Sequence, residues 1–210
     1  MTEMITVNEH SSVRIQDGAK VIYVDPFHIK GTPNDADYVL ITHDHYDHFS
    51  PEDIEKVSKP STILVVPGTM MGKARVVAGA VGDIRMVKQG ESGDIAGLAY
   101  ETVPAYNVGK SFHQKNAGWV GYILTVDGKR IYIAGDTDRT PESEKVVCDI
   151  AMVPIGGTFT MDAKEAAGLI NVMKPEVAIP IHYGSVAGSK GDAKVFGKLV
   201  NPGVRVEIKL

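Results

Sequence analysis

Three short apolar runs in this chain are each closely followed by a side chain that can bind a metal ion. Their length and their β-branched residues are typical of buried strands. They cover residues 38–41, 129–134 and 177–180. The first run leads into the histidine-rich residues 43–48, the second into Asp136 and the third into His182. Because layered folds place their sites at the carboxyl ends of strands, the pattern predicts a layered α/β chain with one site built from three strand ends.

Residues 43–48 form the densest group of candidate metal ligands, with the sequence His-Asp-His-Tyr-Asp-His. The whole chain has only seven histidines, so three of them in such a short segment need an explanation. Imidazole and carboxylate are ligands that zinc and related cations prefer. We expect His43 and His45 to project to one side, and Asp47 and His48, a turn later, to bind a second ion. The alternatives are a solvated loop or the cap of the following helix.

The other turns and apolar runs predict a chain rich in strands, with helices late in each half. Predicted strands cover residues 4–7, 12–16, 21–25, 38–41, 63–66, 84–88, 98–103, 121–126, 129–134, 150–153, 177–180 and 204–208. Predicted helices cover residues 51–57, 163–173 and 192–200. Capping residues at Ser50 and Asp162 support the first two helices. This order favours an αββα sandwich, with two sheets back to back and helices outside, in one domain of residues 1–210. An ordinary three-layer α/β fold is the main alternative.

Composition and hydropathy narrow the range of compartments and partners. No apolar stretch approaches the roughly 18 to 20 residues of a membrane span, and residues 1–10 lack the pattern of a signal peptide. The single cysteine, Cys148, cannot form an internal disulfide, which agrees with a reducing compartment. We therefore expect a cytoplasmic protein. A net charge of -4 with no basic stripe argues against nucleic acid as a partner.

The chain resembles the metallo-β-lactamase superfamily in motifs spread over nearly its whole length. The signature His-x-His-x-Asp-His stands at residues 43–48, the later acidic motif Gly-Asp-Thr at residues 135–137, and the last histidine at His182. Three further segments are similar to the small bacterial and archaeal branch of metal-dependent hydrolases. They lie at residues 10–12, 24–27 and 156–158. The resemblance implies the αββα fold of that superfamily and a hydrolase whose substrate the motifs do not specify.

The same resemblance implies a set of metal ligands, position by position. One metal ion is held by His43 and His45, and a second by Asp47, His48 and His182. Asp136 then bridges the two ions.

The sequence departs from the superfamily pattern at one ligand position. Members usually supply a further histidine to the first ion, whereas Asn107 stands at the corresponding place here and His113 follows six residues later. Either Asn107 binds through its carbonyl oxygen, or the loop curls so that His113 replaces the missing ligand. If neither residue binds, a single ion occupies the cluster.

These residue types predict hydrolysis by activated water. A bound divalent ion lowers the pKa of water from about 15.7 towards 7 and polarises the bond under attack. Asp47 or Asp136 then orients the water. The resemblance to the small bacterial and archaeal branch implies that His10 faces the metal cleft and protonates the leaving group or binds the substrate, and the alternative is a cap or turn histidine. We expect Zn²⁺, as one or two ions, with Mn²⁺, Ni²⁺ or iron as alternatives. Asp25 and Asp44 are candidates to hold the ring nitrogens that face away from the metal.

The expected substrate is a small molecule: a phosphodiester, a lactone or another ester. Four cationic residues in loops near the predicted site favour an anionic substrate, although solvated surface charge explains them equally well. They are Lys110, Lys115, Arg139 and Lys190. Two other functions stay open as alternatives: a non-hydrolytic di-iron redox protein and a catalytically idle metal-binding scaffold. His45 argues against the redox protein, since relatives of that type usually carry an acid at this position.

Overall fold

A computed structural model describes residues 2–210, and Met1 lies outside the described residues. The chain divides into two compact units, the first ending at Lys88 and the second comprising Gln89–Leu210. Each unit is built around its own mixed β-sheet. Within the described residues no helix has the length and apolarity that crossing a membrane requires.

The sheet of the N-terminal unit has six strands in sequence order. They are β1 (Ile5–Glu9), β2 (Ser12–Asp17), β3 (Lys20–Val24), β4 (Tyr38–Leu40), β5 (Ile63–Pro67) and β6 (Asp83–Val87). The first three strands form an antiparallel meander, and β3 to β6 run parallel. Two helices, α1 (Pro51–Val57) and α2 (Met71–Ala74), belong to this unit. Ile54 and Ala74 from these helices join Val39 and Leu64 from the strands in one buried cluster.

The sheet of the C-terminal unit repeats this plan with one more strand. Its strands are β7 (Ser92–Ile95), β8 (Leu98–Pro104), β9 (Val120–Val126), β10 (Lys129–Ile133), β11 (Ile150–Pro154), β12 (Val177–Ile181) and β13 (Arg205–Val206). Strands β7 to β10 are antiparallel neighbours, and β10 to β13 run parallel. Helices α3 (Ala163–Met173) and α4 (Lys190–Leu199) complete the unit. Ile170 of α3 and Phe196 of α4 pack in a buried cluster with Ala151 and Val153 of β11.

Local sequence signals determine where the helices begin. Ser50 caps α1 by accepting a hydrogen bond from Asp53 N. Asp162 and Glu165 form the expected capping box, so α3 covers the predicted residues. Helix α4 begins two residues before the predicted start, because Ser189 N donates to the Asp192 carboxylate in a second capping box.

The predicted strands are present, with two differences at the sheet edges. Strand β13 covers only Arg205–Val206, shorter than predicted, because only two of its residues pair with β12. Strand β7 was not predicted, since Ser92 and Gly93 have low strand propensity and the segment is extended through its pairing with β8. The described residues form two mixed sheets, whereas an ordinary three-layer α/β fold has one.

The topology brings the predicted ligands to strand ends within each unit. The carboxyl ends of parallel neighbours lie at the same edge of a sheet. In the N-terminal unit β3 is followed by Asp25, and β4 leads into residues 41–48. In the C-terminal unit β10 leads to Asp136 and β12 to His182.

Candidate metal centre

In the N-terminal unit the carboxyl ends of β3 and β4 hold a buried network around Asp25. Asp25 has a positive φ of 47°, which turns the chain sharply after β3. Its carboxylate accepts hydrogen bonds from Thr42 N at 2.8 Å, from Thr42 Oγ1 at 2.6 Å and from His48 Nδ1 at 2.7 Å. Complete burial raises the pKa of Asp25 above its ordinary value, while the contacts with His48 and Thr42 oppose this shift.

This network also fixes the ring of His43. The Thr42 hydroxyl donates its hydrogen to Asp25, so it accepts from His43 Nδ1, which lies 2.9 Å away. Asp25 therefore supports two of the predicted ligands, His48 directly and His43 through Thr42. In both rings Nδ1 carries the hydrogen, and Nε2 is left as the acceptor that can coordinate a metal ion.

The other predicted ligands of this unit lie close to these rings. The Nε2 atom of His43 is 3.2 Å from Nδ1 of the half-buried His45. Asp47 Oδ2 is 3.2 Å from His10 Nε2 and 3.5 Å from His48 Nε2. His10, Asp47 and His48 are buried, and each offers a ligand atom within 4.8 Å of the others. His10 thus lies beside a predicted metal ligand.

Of the two acids expected to hold histidine rings, only Asp25 does so. The side chain of Asp44 lies 3.9 Å from Lys73 Nζ, and Lys73 also donates to the Asp44 carbonyl oxygen. Thr42 belongs to the network around Asp25, and the sequence motifs did not identify it. Its place between strand β4 and His43 was the available signal.

In the C-terminal unit Asp136 lies between two histidines. Asp136 Oδ2 is 3.3 Å from His113 Nε2 and 3.1 Å from His182 Nε2. All three side chains are at most 3% exposed. His182 follows β12 with a positive φ of 58°, so the chain turns sharply at this ligand. One carboxylate and two imidazoles thus meet within this unit.

Asn107 lies next to His113 and holds it in place. Asn107 Oδ1 accepts hydrogen bonds from His113 N at 3.1 Å and from His113 Nδ1 at 2.8 Å. Asn107 Nδ2 donates to the carbonyl oxygen of Phe159 at 2.9 Å. Asn107 Oδ1, one of the two predicted ligand choices, therefore contacts His113. The other choice, the His113 ring, lies beside Asp136.

Three of the four cations expected to attract an anionic substrate are paired with acids. Lys110 Nζ contacts Asp138 Oδ1 at 2.7 Å, and Arg139 Nε contacts Glu144 Oε1 at 2.6 Å. Lys115 pairs with Glu142. The fourth, Lys190, is exposed at the start of α4. Each of these three cations therefore has an acid beside it, which lowers the net positive charge that it presents to a substrate.

The donor set in each unit fits a divalent cation. His48 donates its Nδ1 hydrogen to Asp25, and His113 donates its Nδ1 hydrogen to Asn107. The Nε2 atom of each neutral ring is then an acceptor. These atoms face carboxylate oxygens at 3.5 Å and 3.3 Å, which are acceptors too. Two acceptors at this distance attract each other only through a proton or a cation between them. Imidazole nitrogen and carboxylate oxygen are ligands that zinc takes in proteins.

Comparisons with known proteins show the family to which the chain belongs. A family described as a beta-lactamase superfamily domain matches residues 4–182. A UPF0173 metal-dependent hydrolase from Pyrococcus abyssi is 31% identical over 207 residues, which cover 91% of this chain and 90% of the relative. A crystal structure from Parabacteroides distasonis, provisionally described as a metal-dependent hydrolase, is 30% identical with a TM-score of 0.81, covering 98% of this chain and 92% of that one. The structure of Igni18, a metallo hydrolase from Ignicoccus hospitalis, matches with a TM-score of 0.78 at 24% identity. The match covers 97% of this chain and 93% of the Igni18 chain, and at this identity it supports only the fold.

Proposed function

The chain belongs to the metallo-β-lactamase superfamily as a metal-dependent hydrolase, and on this premise we propose that it cleaves an uncharged ester or lactone by activating water at a two-metal centre. The observation that carries the proposal is the position of Asp136 between His113 and His182, with both Nε2 atoms within 3.3 Å of one carboxylate oxygen. A carboxylate contacted by two metal-type imidazoles suits a ligand shared by two ions.

We assign the ligands in two sets that follow the superfamily pattern. The first comprises His43, His45 and His113, the second comprises Asp47, His48 and His182, and Asp136 is shared. We propose His113 rather than Asn107 because the Asn107 side-chain oxygen accepts two hydrogen bonds from His113. The assignment treats residues 1–210 as one functional domain.

The side chains of this site have separate roles in the proposed reaction. Divalent ions of this kind, when bound, acidify water and polarise the scissile bond. The carboxylates of Asp47 and Asp136 orient the attacking water by accepting its hydrogen bonds. Asp47 accepts a proton from the attacking water, and His10 Nε2, 3.2 Å from Asp47 Oδ2, takes this proton and delivers it to the leaving group.

The charges around the second unit's loops favour an uncharged ester or lactone over a phosphodiester. A phosphodiester carries a negative charge that an enzyme must attract and neutralise, and Lys110, Lys115 and Arg139 already pair with acids. Zinc is the proposed metal, because imidazole and carboxylate ligands predominate. We also propose a cytoplasmic location, since Cys148 is the sole cysteine.

The test of the ligand assignment compares two histidine variants. His45→Ala removes a proposed ligand, and we expect the zinc-loaded protein to lose at least one equivalent of metal, measured by elemental mass spectrometry. His28→Ala is the matched control, because His28 is exposed and pairs with Glu9 outside the proposed set. Equal metal content in both variants would contradict the assignment.

The substrate class is tested by turnover of a panel by the zinc-loaded protein. The panel contains uncharged aryl esters, lactones and an aryl phosphodiester. We expect hydrolysis of uncharged substrates at a higher kcat/KM than the phosphodiester. Preference for the phosphodiester would refute the substrate class, and no turnover with two ions bound would refute the hydrolase centre.

A further inference from the structure

Asn107 makes three hydrogen bonds with His113, two through its side chain and one through its backbone. Its Oδ1 accepts from both His113 N and His113 Nδ1, and its own backbone N donates to His113 O at 2.7 Å. Both residues are buried, with Asn107 7% and His113 1% exposed. The loop between them therefore closes on itself through these two residues.

The contact with Phe159 determines which way the Asn107 amide faces. A backbone carbonyl oxygen only accepts hydrogen bonds, so the group 2.9 Å from Phe159 O is the NH₂ of Asn107. The amide oxygen must then face His113, whose Nδ1 has to carry the hydrogen that it accepts. His113 is thereby held in one tautomer, with Nε2 as the acceptor aimed at Asp136 Oδ2, 3.3 Å away.

The start of the loop is anchored independently of this amide. Val108 N donates to Asp138 Oδ2 at 2.8 Å, and Lys110 Nζ contacts Asp138 Oδ1 at 2.7 Å and Thr160 O at 2.7 Å. Asp138 N also donates to the carbonyl oxygen of Tyr106. None of these bonds involves the Asn107 side chain, so a substitution there removes directly only its bonds to His113 and to Phe159 O.

We propose that Asn107 is a positioning residue that sets the tautomer and orientation of His113 and thereby tightens metal binding. The proposal rests on the assignment of His113 as a ligand in the proposed function. An outer partner of a ligating histidine typically changes metal affinity by about 10- to 100-fold when it is removed. Asn107 thus acts on the metal through His113, without contacting the ion.

Two substitutions separate positioning from a merely structural role. Both Asn107→Asp and Asn107→Leu lose the bond to Phe159 O, but only Asn107→Asp keeps an acceptor for His113 Nδ1. Zinc affinity is measured by competition with a chromogenic chelator. The His113 tautomer is read from the ring nitrogen chemical shifts of the metal-free protein at mildly alkaline pH. Asn171→Leu is the control, since the Asn171 amide bridges Leu199 O and Asn201 N without contacting a histidine.

We expect Asn107→Leu to weaken zinc binding by about 10- to 100-fold and to mix the two tautomers. We expect Asn107→Asp to keep the wild-type tautomer and to bind zinc at least about tenfold more tightly than Asn107→Leu, with Asn171→Leu unchanged.

Equal loss of zinc affinity in both Asn107 variants would overturn the positioning role. So would a wild-type His113 that carries its hydrogen on Nε2, a result that needs no variant to fold. If His113→Ala leaves metal binding unchanged, the ligand assignment itself fails, whereas loss in His113→Ala with no effect of Asn107→Leu refutes only the role of Asn107.

Discussion

Replacing Thr42 by valine tests whether the network behind the histidines affects metal binding as well as the fold. Valine keeps the shape of the fully buried threonine but removes its hydroxyl. The hydroxyl donates to the Asp25 carboxylate at 2.6 Å and accepts from His43 Nδ1 at 2.9 Å. A neutral hydrogen bond contributes about 0.5–1.5 kcal/mol and one to a charged group about 1.5–3 kcal/mol. We therefore expect Thr42→Val to lower the free energy of unfolding by about 2–4.5 kcal/mol.

The same variant is expected to weaken zinc binding by about 10- to 100-fold, because His43 loses the partner that holds its Nδ1. Thr62→Val is the matched control: Thr62 is fully buried in the same unit, donates to Ala36 O at 2.6 Å and accepts from Lys59 N at 2.8 Å. We expect the control to lower the free energy of unfolding by about 1–3 kcal/mol without changing zinc affinity.

Urea unfolding of the metal-free proteins measures the first quantity, and chelator competition measures the second. The reasoning is refuted if Thr42→Val and Thr62→Val bind zinc equally well. It is also refuted if Thr42→Val unfolds at the wild-type urea concentration, since the hydroxyl would then contribute nothing to the network.

Two further predictions concern the C-terminal unit. Phe196→Ala should lower the free energy of unfolding by about 3–5 kcal/mol, because Phe196 is fully buried in the core. The control Val195→Ala, at an exposed neighbour, should change the free energy of unfolding by less than about 0.5 kcal/mol. Similar urea midpoints for the two variants would contradict this packing. Hydrogen bonds from Lys115 and Tyr106 lower the pKa of Glu142 from 4.5 to about 2. The lowered pKa means that Glu142 stabilises the fold above about pH 4.5 and loses this effect as the pH falls towards about 2. Glu142→Gln should therefore flatten the pH dependence of the urea midpoint in this range, and an unchanged profile would count against the ion pair.

The strands and helix starts could be predicted from the sequence because their signals are local. Ser50 and Asp162 cap helices where expected, since a cap needs only a side chain and the backbone a few residues away. Strand β7 was missed because its extended form depends on pairing with β8, which no property of Ser92 or Gly93 indicates.

The candidate site was predictable in its residue types but less so in its contacts. The histidines and acids follow apolar strands, so their positions at strand ends follow from topology. The contact between Asn107 and His113 depends on how the intervening loop folds back. The sequence alone therefore could not decide which of these two residues is the ligand. Ion pairing of Lys110 and Lys115 also depends on tertiary contacts, so the sequence could not show that these two cations have acidic partners.

Anomalous X-ray diffraction from crystals of the zinc-loaded protein tests the metal centre most directly. The account predicts two zinc peaks, one bound by Nε2 of His113 together with His43 and His45, the other by Asp47, His48 and His182, with a carboxylate oxygen of Asp136 bound to both. No peak at these side chains, or a peak bound by Asn107 Oδ1 in place of His113 Nε2, would contradict it.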